Sequence, residues 1–216
     1  MPNILITWVS SWIWKYLTEQ LHTDLPAGRQ GYHIFATSRK DPKIPWINFI
    51  TCDLTKSNDI KNLISYIDSK NISLDAVIFN AGVGYFDEFL KVKDKEYLDM
   101  LMLNLYSNIV LTKKLLPFLT PKSKLIYIWS IASKKFMKYW AWYQASKFWL
   151  RWFVWALRNE LKQKVFLINP QYVDTNFFTQ MRIEPQWKYT ETLVSNILIT
   201  IQNILSSKET RFEIDL

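Results

Sequence analysis

Glycine is the residue this chain is shortest of. Its 216 residues include 4 glycines, where a share of roughly 7% predicts about 15. That shortage excludes Gly-rich linkers and triple-helical repeats, and it leaves few residues able to take positive φ without steric cost. Cysteine is nearly absent too. Cys52 stands alone, so no internal disulfide forms, and a reducing compartment, the cytoplasm, is expected. No uninterrupted apolar run approaches the roughly 20 residues of a membrane-spanning helix, so no membrane partner is expected. Neither His22 nor His33 has metal-ligand spacing around it, and no metal is expected. Met1-Pro2-Asn3 lacks a basic stretch and leads straight into Ile4-Leu5-Ile6, which predicts a fold that begins at once with no leader.

Tryptophan is what the chain has in excess. It carries 11, and tryptophan and glycine together match the number expected of glycine alone. Hydrophobic residues make up 49% and charged residues 21%, which fits one globular domain spanning 1–216. The net charge of +8 admits a polyanionic partner. The basic residues are scattered, however, with small clusters only at Lys113-Lys114 and Ser133-Lys134-Lys135. No nucleic-acid motif accompanies them, so a generally basic surface and no nucleic-acid partner are expected.

Short apolar runs alternate with helical patterns. Strands are expected at Asn3–Thr7, 33–37, 47–51, 76–79, 124–128, 165–169 and 211–214, and helices at 11–21, 57–68, 142–161 and 190–205. A long helical pattern covers 94–119, with a break near Leu103. This alternation predicts an α/β fold: a Rossmann-type doubly wound parallel sheet covered on both faces, three layers α/β/α. The segment Leu25-Pro26-Ala27-Gly28-Arg29-Gln30-Gly31 is expected to be a surface insertion between the first helix and second strand.

In an open parallel sheet, ligands bind at the carboxyl ends of the strands. Polar clusters follow strand after strand at that edge: Thr7 to Trp14, Ser38-Arg39, Asp53-Leu54, Asn80-Ala81-Gly82, Ser130, and Pro170 to Thr175 with Val173 inside it. The first cluster reads Thr7-Trp8-Val9-Ser10-Ser11-Trp12-Ile13-Trp14. A strand-to-helix turn needs residues that accept positive φ and let a phosphate approach the backbone, and tryptophan does neither. With glycine in place of each tryptophan the segment becomes Thr-Gly-Val-Ser-Ser-Gly-Ile-Gly, a dinucleotide-binding turn. A UGA codon, read as Gly in some bacterial lineages and Trp in others, connects the two spellings. Many of the tryptophans are therefore expected to be glycines in the protein as its own cell makes it.

Tyr143-Gln144-Ala145-Ser146-Lys147 places a phenol and an ammonium four residues apart, on one face of a helix. A nearby ammonium favours the phenolate, which makes Tyr143 an expected acid/base group. Ser130 lies thirteen residues earlier at a strand end, where it can hydrogen-bond a carbonyl oxygen.

With these residues in place, the chain resembles the short-chain dehydrogenase/reductase family over nearly its whole length. The family's Thr-Gly-x-x-x-Gly-x-Gly turn is similar to Thr7 to Trp14, with Trp at each Gly position. The resemblance implies that Asp53 serves the adenine ring, that Asn80-Ala81-Gly82 borders the cofactor, and that Asn104, Ser130, Tyr143 and Lys147 are catalytic. Pro170-Gln171 and Thr175 resemble the family's Pro-Gly and downstream Thr. Gln171 departs from that pattern in a way no UGA codon explains. Trp129, Trp140, Trp149 and Trp152 also fall near positions of small residues in the family, while Trp46, Trp142, Trp155 and Trp187 are undecided. The implied reaction is hydride transfer between a nicotinamide and a carbonyl or alcohol carbon, with a small-molecule substrate. Tyr143 would exchange the proton, Lys147 would lower its pKa and hold the nicotinamide ribose, Ser130 would polarise the substrate oxygen, and Asn104 would position a relay water. A homodimer or homotetramer through the two long helices is implied as well.

Thr37-Ser38-Arg39-Lys40 has no carboxylate and two cations, which suits a 2′-phosphate and favours NADP over NAD. The rival expectation is a non-catalytic Rossmann-fold scaffold or interaction protein. It follows if Trp8, Trp12 and Trp14 are real and their indoles fill the pyrophosphate space.

Overall fold

The computed structural model describes residues 1–9, 12–23, 31–173, 181–182 and 193–216. Its strands are β1 (Asn3–Thr7), β2 (His33–Ser38), β3 (Asn48–Thr51), β4 (Leu74–Phe79), β5 (Leu119–Ile128), β6 (Lys164–Asn169) and β7 (Glu213–Asp215). They form one parallel sheet of seven strands in the order β3-β2-β1-β4-β5-β6-β7. The order reverses between β1 and β4, which opens a crevice at the carboxyl edge.

The period of two along each strand sorts the core into two layers. Leu5, Phe35, Val77, Phe79, Leu125, Tyr127, Val165 and Leu167 face one side. There they meet Ile60, Leu63 and Ile67 of α2 (Ser57–Ser69), Leu111 and Leu115 of α4 (Ser107–Leu115), and Leu150, Val154 and Leu157 of α5 (Ala141–Glu160). The alternate residues Ile4, Ile6, Ile34, Ile78, Ile126 and Ile168 face the other side. They meet Trp14, Leu17 and Leu21 of α1 (Trp12–Thr23) and Ile197, Ile201 and Ile204 of α6 (Val194–Leu205). Strands buried on both faces read as continuous apolar runs, which is why this sheet was visible in the sequence.

The expected break near Leu103 is a π-helical turn over Leu101–Tyr106, between α3 (Asp94–Met100) and α4. Three elements differ from expectation. The long helix ends at Leu115, not residue 119, and passes into a single 3₁₀ turn that carries Pro117 near its start. Strand β5 begins at Leu119, not residue 124. Its register shifts between Leu74 and Ala76, and there the Ser123 hydroxyl donates to the Leu74 carbonyl at 2.7 Å. Strand β7 is centred on Ile214, whose neighbours Glu213 and Asp215 complete it. The N-terminal part of the expected helix 190–205, and most of the expected insertion at residues 25–31, lie outside the described residues.

Candidate active site

The turn after β1 keeps a backbone that suits glycine. Trp8 has φ 65°, the left-handed region that L side chains resist. Its amide donates to the Thr37 carbonyl at 2.6 Å, extending the ladder, and its carbonyl accepts from Asn80 Nδ2 at 3.2 Å. The Thr7 hydroxyl accepts from the amides of Asn80 (2.9 Å) and Ala81 (3.2 Å), so it ties the end of β1 to the end of β4. Trp12 and Ile13 open α1. Trp14 is buried among the residues under α1, so its indole belongs to the core. Ser10 and Ser11 lie outside the described residues.

At the end of β2, Ser38 is buried and its hydroxyl donates to the Lys40 carbonyl, while Arg39 is exposed. The Arg39 guanidinium lies over the Trp8 ring, 4.6 Å from its centroid. After β3, Asp53 accepts from the amide and hydroxyl of Thr55. Burial works to raise its pKa, but the Thr55 hydrogen bonds and the charges of Arg39 and Lys56 outweigh it and hold the carboxyl below its usual value. Leu54 is buried in the core beside Cys52.

Asn104 is wholly buried inside the π-helical turn. A turn of this kind carries an extra residue and leaves carbonyls off the regular ladder. The Ser107 hydroxyl accordingly donates to the Leu103 carbonyl, and Asn108 Nδ2 to the carbonyls of Leu103 and Asn104. The Asn104 side chain clamps its neighbours. Its Oδ1 accepts from the Val83 amide at 2.8 Å, and its Nδ2 donates to the Val83 carbonyl (2.9 Å) and to Ser146 Oγ (3.0 Å). The contacts shown therefore make Asn104 a clamp between the loop after β4 and α5. A Cβ added to Gly82 would meet Asn104 Oδ1 at 3.4 Å and Lys147 Nζ at 3.5 Å, so that loop passes close to both groups.

Ser130 caps the 3₁₀ turn Ile131–Ser133, and its hydroxyl accepts from the Ala132 amide. It also hydrogen-bonds Tyr143, which is buried against Phe86 and Trp140. Lys147 is buried one helical turn further along α5. Its Nζ lies 3.6 Å from the centroid of the Trp129 ring and 5.2 Å from that of Tyr143. Burial lowers the Lys147 ammonium to about 7. The expected lowering of the Tyr143 phenol by Lys147 is not what this geometry gives: burial raises that phenol, with the Ser130 hydrogen bond acting the other way.

The structure thus gathers Ser130, Tyr143, Lys147, Asn104 and Gly82 at one place on the carboxyl edge, with Thr7, Trp8, Asn80 and Ala81 beside them. Pro170 is buried and its carbonyl accepts from the Ile131 amide at 3.0 Å. Val173 packs on the α1/α6 side of the core. Thr175 lies outside the described residues. Two contributors were missed. Ser146 receives the Asn104 amide, and Trp129 donates its indole N–H to the Lys147 carbonyl at 2.7 Å. Adjacency to Lys147 and Ser130 in the sequence was the available signal for each.

A nicotinamide dinucleotide fits this edge at one end and is opposed at the other. Lys147 is buried, and among the described residues it makes no ion pair. A buried ammonium of this kind calls for polar partners such as ribose hydroxyls. At the β1 turn the backbone takes a glycine conformation, while the Trp8 indole and its partner Arg39 stand where a glycine would leave open space.

Residues 31–186 match the family model described as short chain dehydrogenase. A 3-ketodihydrosphingosine reductase of Bacteroides thetaiotaomicron is 27% identical over 207 residues, covering 93% of this chain and 75% of that protein. A probable short-chain type dehydrogenase/reductase of Helicobacter pylori is 31% identical over 158 residues, covering 68% of this chain and 58% of that protein. Among solved structures, an alcohol dehydrogenase from the archaeon Thermococcus sibiricus, complexed with 5-hydroxy-NADP, superposes with a TM-score of 0.83 at 21% identity. That match covers 100% of this chain and 96% of the other.

Proposed function

The chain belongs to the short-chain dehydrogenase family of oxidoreductases, and from that premise we propose that it is an NADP(H)-dependent enzyme acting on a small carbonyl or alcohol substrate. The observation that carries the reading is the burial of Ser130, Tyr143 and Lys147 together, with Ser130 hydrogen-bonded to Tyr143 and Lys147 beside them. The Bacteroides relative, a reductase of a 3-keto compound by name, supports carbonyl reduction as the chemistry.

The bound cofactor would supply the hydride; this chain's residues bind, orient and move the proton. Tyr143 donates its phenolic proton to the substrate oxygen in reduction and takes it back in oxidation. Ser130 shares that oxygen and polarises it. Lys147 would hold the nicotinamide ribose and, as the ammonium, stabilise the phenolate as it forms. Asn104 keeps Val83 and Ser146 in place, and with them the loop after β4. Arg39 would hold the 2′-phosphate and Asp53 the adenine. A cytoplasmic homodimer or homotetramer belongs to the same proposal. Trp149 and Trp152 are largely exposed on α5, so any close packing at those positions comes from outside this chain's own core.

The proposal includes glycine at the turn positions held by tryptophan in this spelling, by UGA decoding. The φ of Trp8 supports it. The test is the intact mass and peptide sequence of the protein from its native cell, followed by NADPH oxidation over a panel of carbonyl compounds. Glycine at positions 8, 12 and 14, turnover by that protein and its loss in Tyr143→Phe are expected. Tryptophan at position 8 would favour the second reading, a Rossmann-fold scaffold that binds no dinucleotide, because the Trp8 indole and Arg39 already occupy one another.

A further inference from the structure

Away from the reacting groups, the last strand carries a carboxylate with more partners than a surface ion pair holds. Glu213 on β7 is 10% exposed. Its Oε1 accepts from Arg151 Nε at 2.8 Å and Asn169 Nδ2 at 2.7 Å, and lies 2.9 Å from Lys134 Nζ in an ion pair. Its Oε2 accepts from Arg151 Nη2 at 3.1 Å and Trp155 Nε1 at 3.0 Å. Burial alone would raise this acid, yet the bonds from Arg151, Lys134 and Asn169 outweigh it and hold the carboxyl at about 2. It is a fixed anion throughout the neutral range.

The partners come from the segments that carry the proposed chemistry. Lys134 closes the 3₁₀ turn that Ser130 opens: its amide donates to the Ile131 carbonyl, and the Ser133 amide donates to the Ser130 carbonyl. Ser130 and Lys134 are thus the two ends of one hydrogen-bonded turn. Arg151 follows Lys147 by four residues on α5, and Lys147 follows Tyr143 by four, so all share one side of that helix. Asn169 ends β6, immediately before Pro170. The same Pro170 carbonyl accepts from Ile131 at the start of the Ser130 turn.

We propose that Glu213 is a positioning residue whose carboxylate bridges the turn bearing Ser130 to the helix bearing Tyr143 and Lys147, and so sets the separation of Ser130 from Tyr143. This rests on the reading of those residues as the reacting site. The arithmetic of misplacement gives the bridge its importance, since a shift of about 1 Å between reacting groups costs on the order of 100-fold in rate. The Trp155 bond is not needed for the bridge; Lys134 and Arg151 supply its two arms whether residue 155 is tryptophan or glycine. Asp215 also pairs with Lys134, at 2.7 Å, but it is half exposed and reaches neither residue on α5.

The experiment uses the protein from its native cell, or the same chain produced with the residues that mass analysis finds there. Glu213→Gln, Lys134→Met and Arg151→Met are compared with the double variant Lys134→Met/Arg151→Met and with Asp215→Asn. Each single loss of an arm is expected to lower kcat about 10- to 100-fold with the KM for NADPH within about threefold. A bridge cut at one arm has nothing left to lose at the other, so the double variant is expected to match the worse single. Asp215→Asn is expected to stay within about twofold of the parent, because the bridge survives it. Melting curves accompany each variant. Lys134→Met, cut from a partly exposed position, keeps the test open if Glu213→Gln does not fold. Losses that multiply in the double variant, or an unchanged kcat in Glu213→Gln with an active parent, overturn the bridge alone. A parent inert on every carbonyl overturns the site reading and the bridge with it.

Discussion

The Arg39 guanidinium stacks over the Trp8 indole at 4.6 Å from the ring centroid, joining the turn after β1 to the loop after β2. The pairing occupies the cation proposed for a 2′-phosphate. With glycine at position 8 that cation is released. In the Trp8→Gly form, Arg39→Ala is expected to weaken NADPH binding about tenfold, in line with roughly 1.5 kcal/mol for a charge-assisted bond, and to leave NADH within about twofold. Paired titrations of the two nucleotides check this. Equal weakening of both would remove Arg39 as the source of selectivity.

The backbone at the same residue makes a separate prediction. Trp8→Gly and Trp8→Ala both lose the indole, so the difference between them reports the left-handed φ alone. Glycine is expected to be the more stable by about 1 kcal/mol, where at a helical or extended position alanine would win by a similar amount. Urea unfolding of the two variants decides it, and alanine equal to glycine would mean that position 8 does not demand glycine.

Much of the fold was legible because both faces of the sheet are covered. Ile4-Leu5-Ile6 and Leu125-Ile126-Tyr127 read as strands since every residue in them is buried. The candidate residues were legible by type and order: Thr7, Asn80 and Ser130 because each stands at a strand end, Tyr143 and Lys147 because their spacing puts them on one face of a helix. What was not legible is how they contact one another. The Asn104 clamp depends on a π-helical turn, and hydrophobic periodicity shows only a break there. The direction of the Tyr143 shift depends on burial by Phe86 and Trp140, which the spacing of Tyr143 and Lys147 does not contain. Trp14 read as an obstruction to phosphate because its sequence position lies in the turn, whereas its side chain follows the buried face of α1.

Lys147 makes stability depend on pH in a definite direction. Burial lowers its ammonium to about 7 in the folded protein, against 10.5 for an exposed lysine. Between those values the unfolded chain binds more protons than the folded one, so stability rises with pH across that window. Below about pH 7 the burial penalty is complete, with an upper bound on the order of 5 kcal/mol at 1.36 kcal/mol per pH unit. Lys147→Met is expected to be more stable than the parent at about pH 6.5, with a margin that shrinks toward about pH 10. Denaturant melts across the range measure the margin; one that stays constant with pH would show that the ammonium bears no such penalty.

Asn104 separates two roles that activity alone would confuse. A residue that only positions a water lowers kcat when removed and leaves stability alone. The structure gives Asn104 three bonds, two of them to the amide and carbonyl of Val83 and one to Ser146. Asn104→Ala takes the partner from the amide and carbonyl of half-buried Val83, at about 1–2 kcal/mol for each group left unpaired, while Ser146 keeps its bond to the Tyr143 carbonyl. Asn104→Ala is therefore expected to lose roughly 2–4 kcal/mol of stability along with its turnover. Ser146→Ala removes two bonds, the one from Asn104 and the one its hydroxyl donates to the Tyr143 carbonyl at 2.7 Å, and leaves the Val83 clamp whole, so a loss of about 1–2 kcal/mol is expected there. Unfolding free energies read beside kcat distinguish the cases. If Asn104→Ala kept the parent's stability while turnover fell, the clamp would be incidental and the role expected from family resemblance would stand by itself. A matched fall in both would mean that the loop after β4 is held against α5 by this one buried amide.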